Sequence, residues 1–365
     1  MRSRVIFVGQ SLTILDWLLT RPDIEVCAVF VPSMQRDVLD EWFTRCAQRG
    51  VTFISQATPQ DVVEGMPPAI DLGICAHFDP LPKALLTATR LGFINIHPAP
   101  LPHYSGRYPL IQLTLDAARE GGVSVHWMSE RVDQGDLIAV ERFAVAPLDG
   151  PVELEVKAEH LARRVLSDYW EAIIDGYAPR IMQSRRALTK SSRMIPCPTE
   201  AQSGVQLWRM IRAYGPYGGL GLLHEPTSTV IRLVDARLCQ VDTHKLTSMM
   251  THSSKDIDHV PTFKIVEVTD HHSLLMLSPS LPLSTSDDHS AHTLSISSER
   301  NGPLWALNVA KSKIVFEERL IESTLTRSTL TRSTLTHHPT FKLDKILHAG
   351  DQLKSLPVDL RLRLP

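Results

Sequence analysis

Short runs of β-branched and apolar residues recur through the first part of this chain, and segments of helical spacing lie between them. Val5-Ile6-Phe7-Val8-Gly9 ends in glycine and is followed by Leu12, Leu15, Leu18 and Leu19, the apolar face of a helix. Residues 24–31 are strand-like, 38–46 helical and 51–54 strand-like again, and residues 70–76 and 92–96 supply two more strands. Parallel strands need a long crossover, usually a helix, so a chain that alternates this way predicts a parallel sheet. Residues 123–128 and 136–144 add two strands. Residues 152–174, rich in Glu, Ala and Leu, close the domain as a long helix. The expected fold class is α/β, with a Rossmann-like, mostly parallel sheet in the N-terminal domain.

At 365 residues the chain is too long for one small core. The reading places a first domain over residues 1–185 and a linker over 186–200. A smaller β-rich domain, OB-like in expectation, follows over 201–322, and a tail over 323–365. The second domain is predicted from a short helix at 206–212, a Gly- and Pro-rich turn at 214–219, and strands near 229–236, 263–268, 273–277, 305–309 and 313–316. Its Ser-, Thr-, His- and Pro-rich stretch at 243–300 predicts long loops. The tail opens with Ser323-Thr324-Leu325-Thr326-Arg327, a five-residue unit that occurs three times in succession with His337 closing the last. The unit is too short for a solenoid module, and an exposed extension is expected.

Net charge is −2, so nothing global recruits nucleic acid or an anionic membrane. The five cysteines are scattered and lack CxxC spacing, which predicts buried free thiols in a reducing compartment and no metal. No apolar run reaches the roughly 18 residues that span a bilayer. Met1-Arg2-Ser3-Arg4 is basic, but the apolar run after it is too short for a signal segment. Cytoplasmic location is the expectation.

The chemistry concentrates at Asn95-Ile96-His97-Pro98. An Asn and a His two residues apart point the same way on a strand. Pro98 cannot donate the next ladder hydrogen bond, so the strand ends there, at the sheet's carboxyl edge. Ligands bind at that edge in open parallel sheets. Asp133, in Val132-Asp133-Gln134-Gly135-Asp136, would add a carboxylate to the amide and the imidazole. Those three groups can move a proton while stabilising an oxyanion.

Three ordered blocks carry a resemblance. Gly92-Phe93-Ile94-Asn95-Ile96-His97-Pro98-Ala99-Pro100-Leu101-Pro102-His103-Tyr104-Ser105-Gly106 comes first, then Gly122-Val123-Ser124-Val125-His126-Trp127-Met128, then Val132 to Asp136. Together they resemble the folate-dependent formyltransferases. That family includes the glycinamide ribonucleotide, methionyl-tRNA and sugar-nucleotide enzymes. Residues 70–145 carry the strong likeness. Trp208-Arg209-Met210-Ile211-Arg212-Ala213-Tyr214-Gly215-Pro216-Tyr217 also resembles the start of the β domain found in the tRNA and sugar enzymes and lacking in the glycinamide enzyme.

The resemblance implies roles. Asn95 would hold the formyl oxygen, His97 would shuttle the proton, and Asp133 would orient and charge-stabilise His97. The co-substrate would be 10-formyltetrahydrofolate, with no metal. Its pterin would lie between Phe78, Leu81 and Pro82 on one loop and Val132, Gln134, Gly135 and Asp136 on the other. Pro100, Tyr104, Gly106, Arg107 and His126 would serve the acceptor amine.

Two departures bear on the acceptor. The family commonly has Arg-Gly after the Leu-Pro element, where this chain has Ser105-Gly106-Arg107. The tRNA enzymes carry a basic, Gly-rich insertion after the second strand. Here that region is Pro32-Ser33-Met34-Gln35-Arg36-Asp37. A protein that grips tRNA should show a basic footprint. The preferred acceptor is therefore a small amine, an amino-sugar nucleotide first, with methionyl-tRNA as the alternative. A 10-formyltetrahydrofolate hydrolase and a non-catalytic folate-binding module are the readings from other classes. A homodimer is one assembly open to the chain.

Overall fold

β1 (Ser3–Gly9) sends Val5 and Phe7 into one apolar cluster and Ile6 and Val8 into another. A strand loses water from both faces in this way only inside a sheet covered on both sides. The structure is a computed structural model. It describes residues 2–184, 204–224, 229–240, 262–268, 273–277, 305–310, 314–317 and 352–355. The chain divides into two compact units, Met1–Ser191 and Ser192–Pro365.

In the first unit β1, β2 (Ile24–Phe30), β3 (Thr52–Ile54), β4 (Leu72–Ala76), β5 (Phe93–His97), β6 (Glu120–Trp127) and β7 (Leu137–Ala144) form one sheet. Its order is β3-β2-β1-β4-β5-β6-β7. The first five strands pair in parallel, and β6 and β7 turn antiparallel. The Rossmann-like, mostly parallel sheet is as expected. Strand order reverses between β1 and β4, where Gly9 lies so close to Ala76 that a Cβ would meet the Ala76 carbonyl oxygen at 1.7 Å.

α1 (Leu12–Thr20), α2 (Arg36–Ala47) and α6 (Pro151–Ile174) cover one face, with Trp17, Trp42 and Trp170 in the cluster they share with the sheet. Ser11 begins α1 by accepting the Ile14 N–H at 3.3 Å, and Glu153 accepts the Gly150 N–H at 2.8 Å at the start of α6. The opposite face is covered from α3 (Pro59–Glu64) and α4 (Lys83–Leu86), through Val62 and Leu85 against Ile6, Val8, Phe30 and Phe93. α5 (Pro109–Leu115) follows the loop after β5. These three short helices go beyond the sequence reading. Each spans at most two turns, too few for a period to show.

The second unit is β-rich. α7 (Gly204–Tyr214) precedes β8 (Leu220–His224), β9 (Thr229–Leu233), β10 (Arg237–Gln240), β11 (Thr262–Val268), β12 (Ser273–Leu277), β13 (Trp305–Ala310), β14 (Ile314–Glu317) and β15 (Gln352–Ser355). The described strands pair antiparallel in the order β10-β13-β12-β11-β15-β8-β9-β14. β15 falls in the segment read from sequence as a tail, yet it pairs with β8 and β11. The repeat itself, the proposed linker and most of residues 243–300 lie outside the described residues.

Candidate active site

On β5, Ile94 and Ile96 enter the α1/α6 cluster while Phe93 enters the α3/α4 cluster. Asn95 and His97 are in phase with Phe93, so they share its face. The strand ends at His97, and Pro98 follows. The antiparallel register of β6 then sets His126 opposite Asn95 and Ser124 opposite His97. Four polar side chains thus stand together on one face at the edge of the sheet.

The loops on either side close around them. Ser124 Oγ donates to the Ala99 carbonyl at 2.8 Å and accepts the Leu101 N–H at 2.9 Å, which fixes the chain leaving β5. That chain returns so that the Tyr104 carbonyl lies 2.8 Å from His97 Nε2, and the Gly106 N–H donates to Asp133 Oδ2 at 2.7 Å. Asp133 sits in the left-handed region at φ 55°, which Asp tolerates better than most residues. Two residues on, Gly135 packs so close that a Cβ would lie 1.7 Å from the Trp127 carbonyl oxygen. Only glycine fits there.

Asp133 Oδ2 lies 3.5 Å from His97 Nδ1, and both side chains are nearly buried. Asp133 Oδ1 accepts from Asn95 Nδ2 at 3.4 Å and lies 3.7 Å from His126 Nε2. His126 Nδ1 faces the Trp127 carbonyl at 3.0 Å, so Nδ1 carries the proton and Nε2 accepts from Asn95 Nδ2 at 3.1 Å. The Asn95 amide is thereby held with both protons engaged.

Burial pulls the His97 imidazole below its ordinary value, against the opposing pull of the Asp133 charge. Burial pushes the Asp133 carboxyl up, but the charge of His97 and the Gly106 N–H are among the pulls that outweigh it and hold the carboxyl below its usual range. A carboxylate beside a neutral imidazole is poised to take a proton through the ring. Cys75 pairs with Asn95 across β4 and β5, and burial pushes its thiol up to about 12. It is no nucleophile at neutral pH.

The residues read from sequence divide into two sets. Asn95, His97, Asp133, Tyr104, Gly106 and His126 converge directly, Tyr104 and Gly106 through backbone atoms. Val132 and Gln134 are exposed on the Asp133 loop, and the Asp136 carbonyl accepts the Trp127 N–H at 2.9 Å. Phe78 is half-buried at the rim of the α3/α4 cluster, Leu81 is buried within it, and Pro82 is exposed just before α4. Pro100 is buried against Gly122, and the exposed Arg107 pairs with Asp79.

Sequence reasoning missed Ser124, although its alternation with His126 on β6 was there to be read. It also missed a cleft at the carboxyl ends of β1, β4 and β5 lined by Ser11, His77, Pro98, Glu155 and Glu159. There Ser11 and Thr13 both donate to Glu159, and His77 Nε2 lies 3.8 Å from Glu155.

Residues 23–169 match the family model described as formyl transferase. That segment carries a formyl transferase domain. A methionyl-tRNA formyltransferase of Methylacidiphilum infernorum is 26% identical over 236 residues, 59% of this chain and 72% of that protein. One from Lysinibacillus sphaericus is 34% identical over 125 residues, 34% of this chain and 40% of that protein. The matched segment thus spans well under two thirds of the second relative. A sugar 3N-formyltransferase solved with dTDP and 5-N-formyl-THF superposes with a TM-score of 0.56 at 12% identity, over 85% of this chain and 98% of that one. An N-formyltransferase from Helicobacter canadensis, in complex with folinic acid and dTDP-3-aminofucose, gives 0.55 at 14%, over 85% and 99%. At such identities the two structures speak to the fold alone. Among the described residues no helix is long and apolar enough to cross a membrane.

Proposed function

We propose that this chain moves the formyl group of 10-formyltetrahydrofolate onto a primary amine through Asn95, His97 and Asp133. The convergence of those three side chains on one sheet edge carries the reading. The donor set fits the chemistry, because an amide donor, a buried imidazole and a carboxylate supply oxyanion binding and proton transfer without a metal. Phe78 and the loop from Val132 to Asp136 offer apolar and backbone surface for the pterin.

The bond to Asp133 is the longer of the two that Asn95 makes. The formyl oxygen competes for that proton, while His126 keeps the amide turned the right way. Asn95 stabilises the oxygen as negative charge develops, a donor typically worth about 3–4 kcal/mol of barrier. His97 takes the proton that the amine loses as its nitrogen bonds to the formyl carbon. It returns a proton to folate N10 as the carbon–N10 bond breaks. Asp133 stabilises the ring while it holds that proton.

For the acceptor we favour an amino-sugar nucleotide. The connection from β2 to α2 is short and carries no Lys, and Arg36 is its nearest cation, so it offers little to an RNA backbone. Methionyl-tRNA is the second reading, favoured by the names of the relatives similar in sequence. Both make this chain a soluble-substrate enzyme of one-carbon metabolism, at work in the cytoplasm. Purified protein with 10-formyltetrahydrofolate should formylate dTDP-3-aminofucose or a related amino-sugar nucleotide. Product on charged initiator tRNA alone would replace the sugar reading, and formate release without any amine would favour the hydrolase.

A further inference from the structure

The chain leaving α6 turns back over the ends of β6 and β7. The Trp127 indole donates to the Pro179 carbonyl at 3.2 Å, and the Arg180 guanidinium lies 4.2 Å from the centre of the Trp127 ring. Ile181 exchanges both backbone hydrogen bonds with Leu137, at 2.8 and 3.0 Å. These contacts bring Gln183 to the Asp133 loop. Its Nε2 donates to the Asp133 carbonyl at 2.9 Å and to the Gly135 carbonyl at 2.7 Å.

The loop needs such a hold. Asp133 keeps a left-handed backbone that costs a non-glycine residue about 1 kcal/mol or more. Val132 and Gln134 point into solvent, and Gly135 has no side chain to anchor. Yet the carboxylate must hold its place beside His97 and Asn95. We propose that Gln183 is a positioning residue, whose amide grips the Asp133 loop from both sides of Gln134 and so keeps the carboxylate on His97. This rests on the Asn95-His97-Asp133 reading. Gln183 touches none of the three reactive groups and acts through backbone alone.

The test uses the full chain with Gln183→Met, which keeps the length and removes both donors, beside Asp133→Asn and wild type. The His97 ring is followed by NMR of the histidine-labelled chain, its resonance assigned with His97→Gln, and kcat is measured with whichever of dTDP-3-aminofucose and charged initiator tRNA turns over. In Gln183→Met, kcat should fall on the order of tenfold to a hundredfold. The His97 titration should move to lower pH, because the displaced carboxylate no longer favours the imidazolium. A loss of packing alone would lower stability without moving that titration. If Gln183→Met fails to fold, Gln183→Glu takes its place with the same expectation, since it sets a carboxylate against two carbonyls. Wild-type kcat and an unmoved His97 titration in a folded Gln183 variant, with Asp133→Asn inactive, overturn the grip alone. Wild-type kcat in Asp133→Asn overturns the catalytic reading beneath it.

Discussion

The two sides of β5 are built from different materials. Ile94 and Ile96 face hydrocarbon under α1 and α6, whereas Asn95 and His97, on the same strand, face Asp133, His126 and the Tyr104 carbonyl. The apolar side is held by area removed from water, which is additive and forgiving. The polar side is held by a network in which each buried group depends on its neighbour. Stability and function are therefore carried by opposite sides of one strand, and substitutions on each side should fail in different ways.

The largest separation is expected at neighbouring positions. Asn95→Ala should cut kcat by about a hundredfold to a thousandfold, the usual loss for one oxyanion donor, and cost about 1–3 kcal/mol in urea unfolding for the His126 and Asp133 atoms it leaves without a partner. Ile94→Ala removes a fully buried side chain and should cost about 2–5 kcal/mol in urea unfolding, with the activity of the folded fraction preserved. Equal effects of the two substitutions on kcat would break the comparison. Ser124→Ala belongs to the polar side but touches backbone only. Leaving the Leu101 N–H and the Ala99 carbonyl without it should cost about 1–3 kcal/mol, read from the same urea titration.

Acid should also act on the polar side. His97 is depressed in the folded state, so below its ordinary 6.5 the unfolded chain binds its proton more tightly. Stability should fall as pH drops from 6.5 toward the lower folded value. Asp133 is depressed below 3.8, so its contribution is present above 3.8 and is lost as pH falls through its folded value. Urea midpoints measured against pH should show the first decline in wild type and a weaker one in His97→Ala.

Much of this was legible in sequence, for identifiable reasons. The strands of the parallel sheet announced themselves because both their faces are apolar. Asn95 and His97 announced themselves because a period of two and a following proline leave little freedom. Contacts made by backbone were invisible. The Tyr104 carbonyl and the Gly106 N–H reach the site through atoms that every residue has, so no residue type signals them. Gln183 was hidden by distance along the chain, fifty residues from the Asp133 carbonyl it holds. β15 was hidden in the segment read as a tail, because four residues are too few to show a period of their own.

The central claim is that the imidazole of His97 transfers the proton that makes formyl transfer possible. Its most direct test is the rate at which His97→Ala converts 10-formyltetrahydrofolate to tetrahydrofolate with an amine acceptor present. The account predicts a fall of about a hundredfold to ten-thousandfold from wild type, in a protein whose circular dichroism is unchanged. Activity within a few-fold of wild type would contradict it.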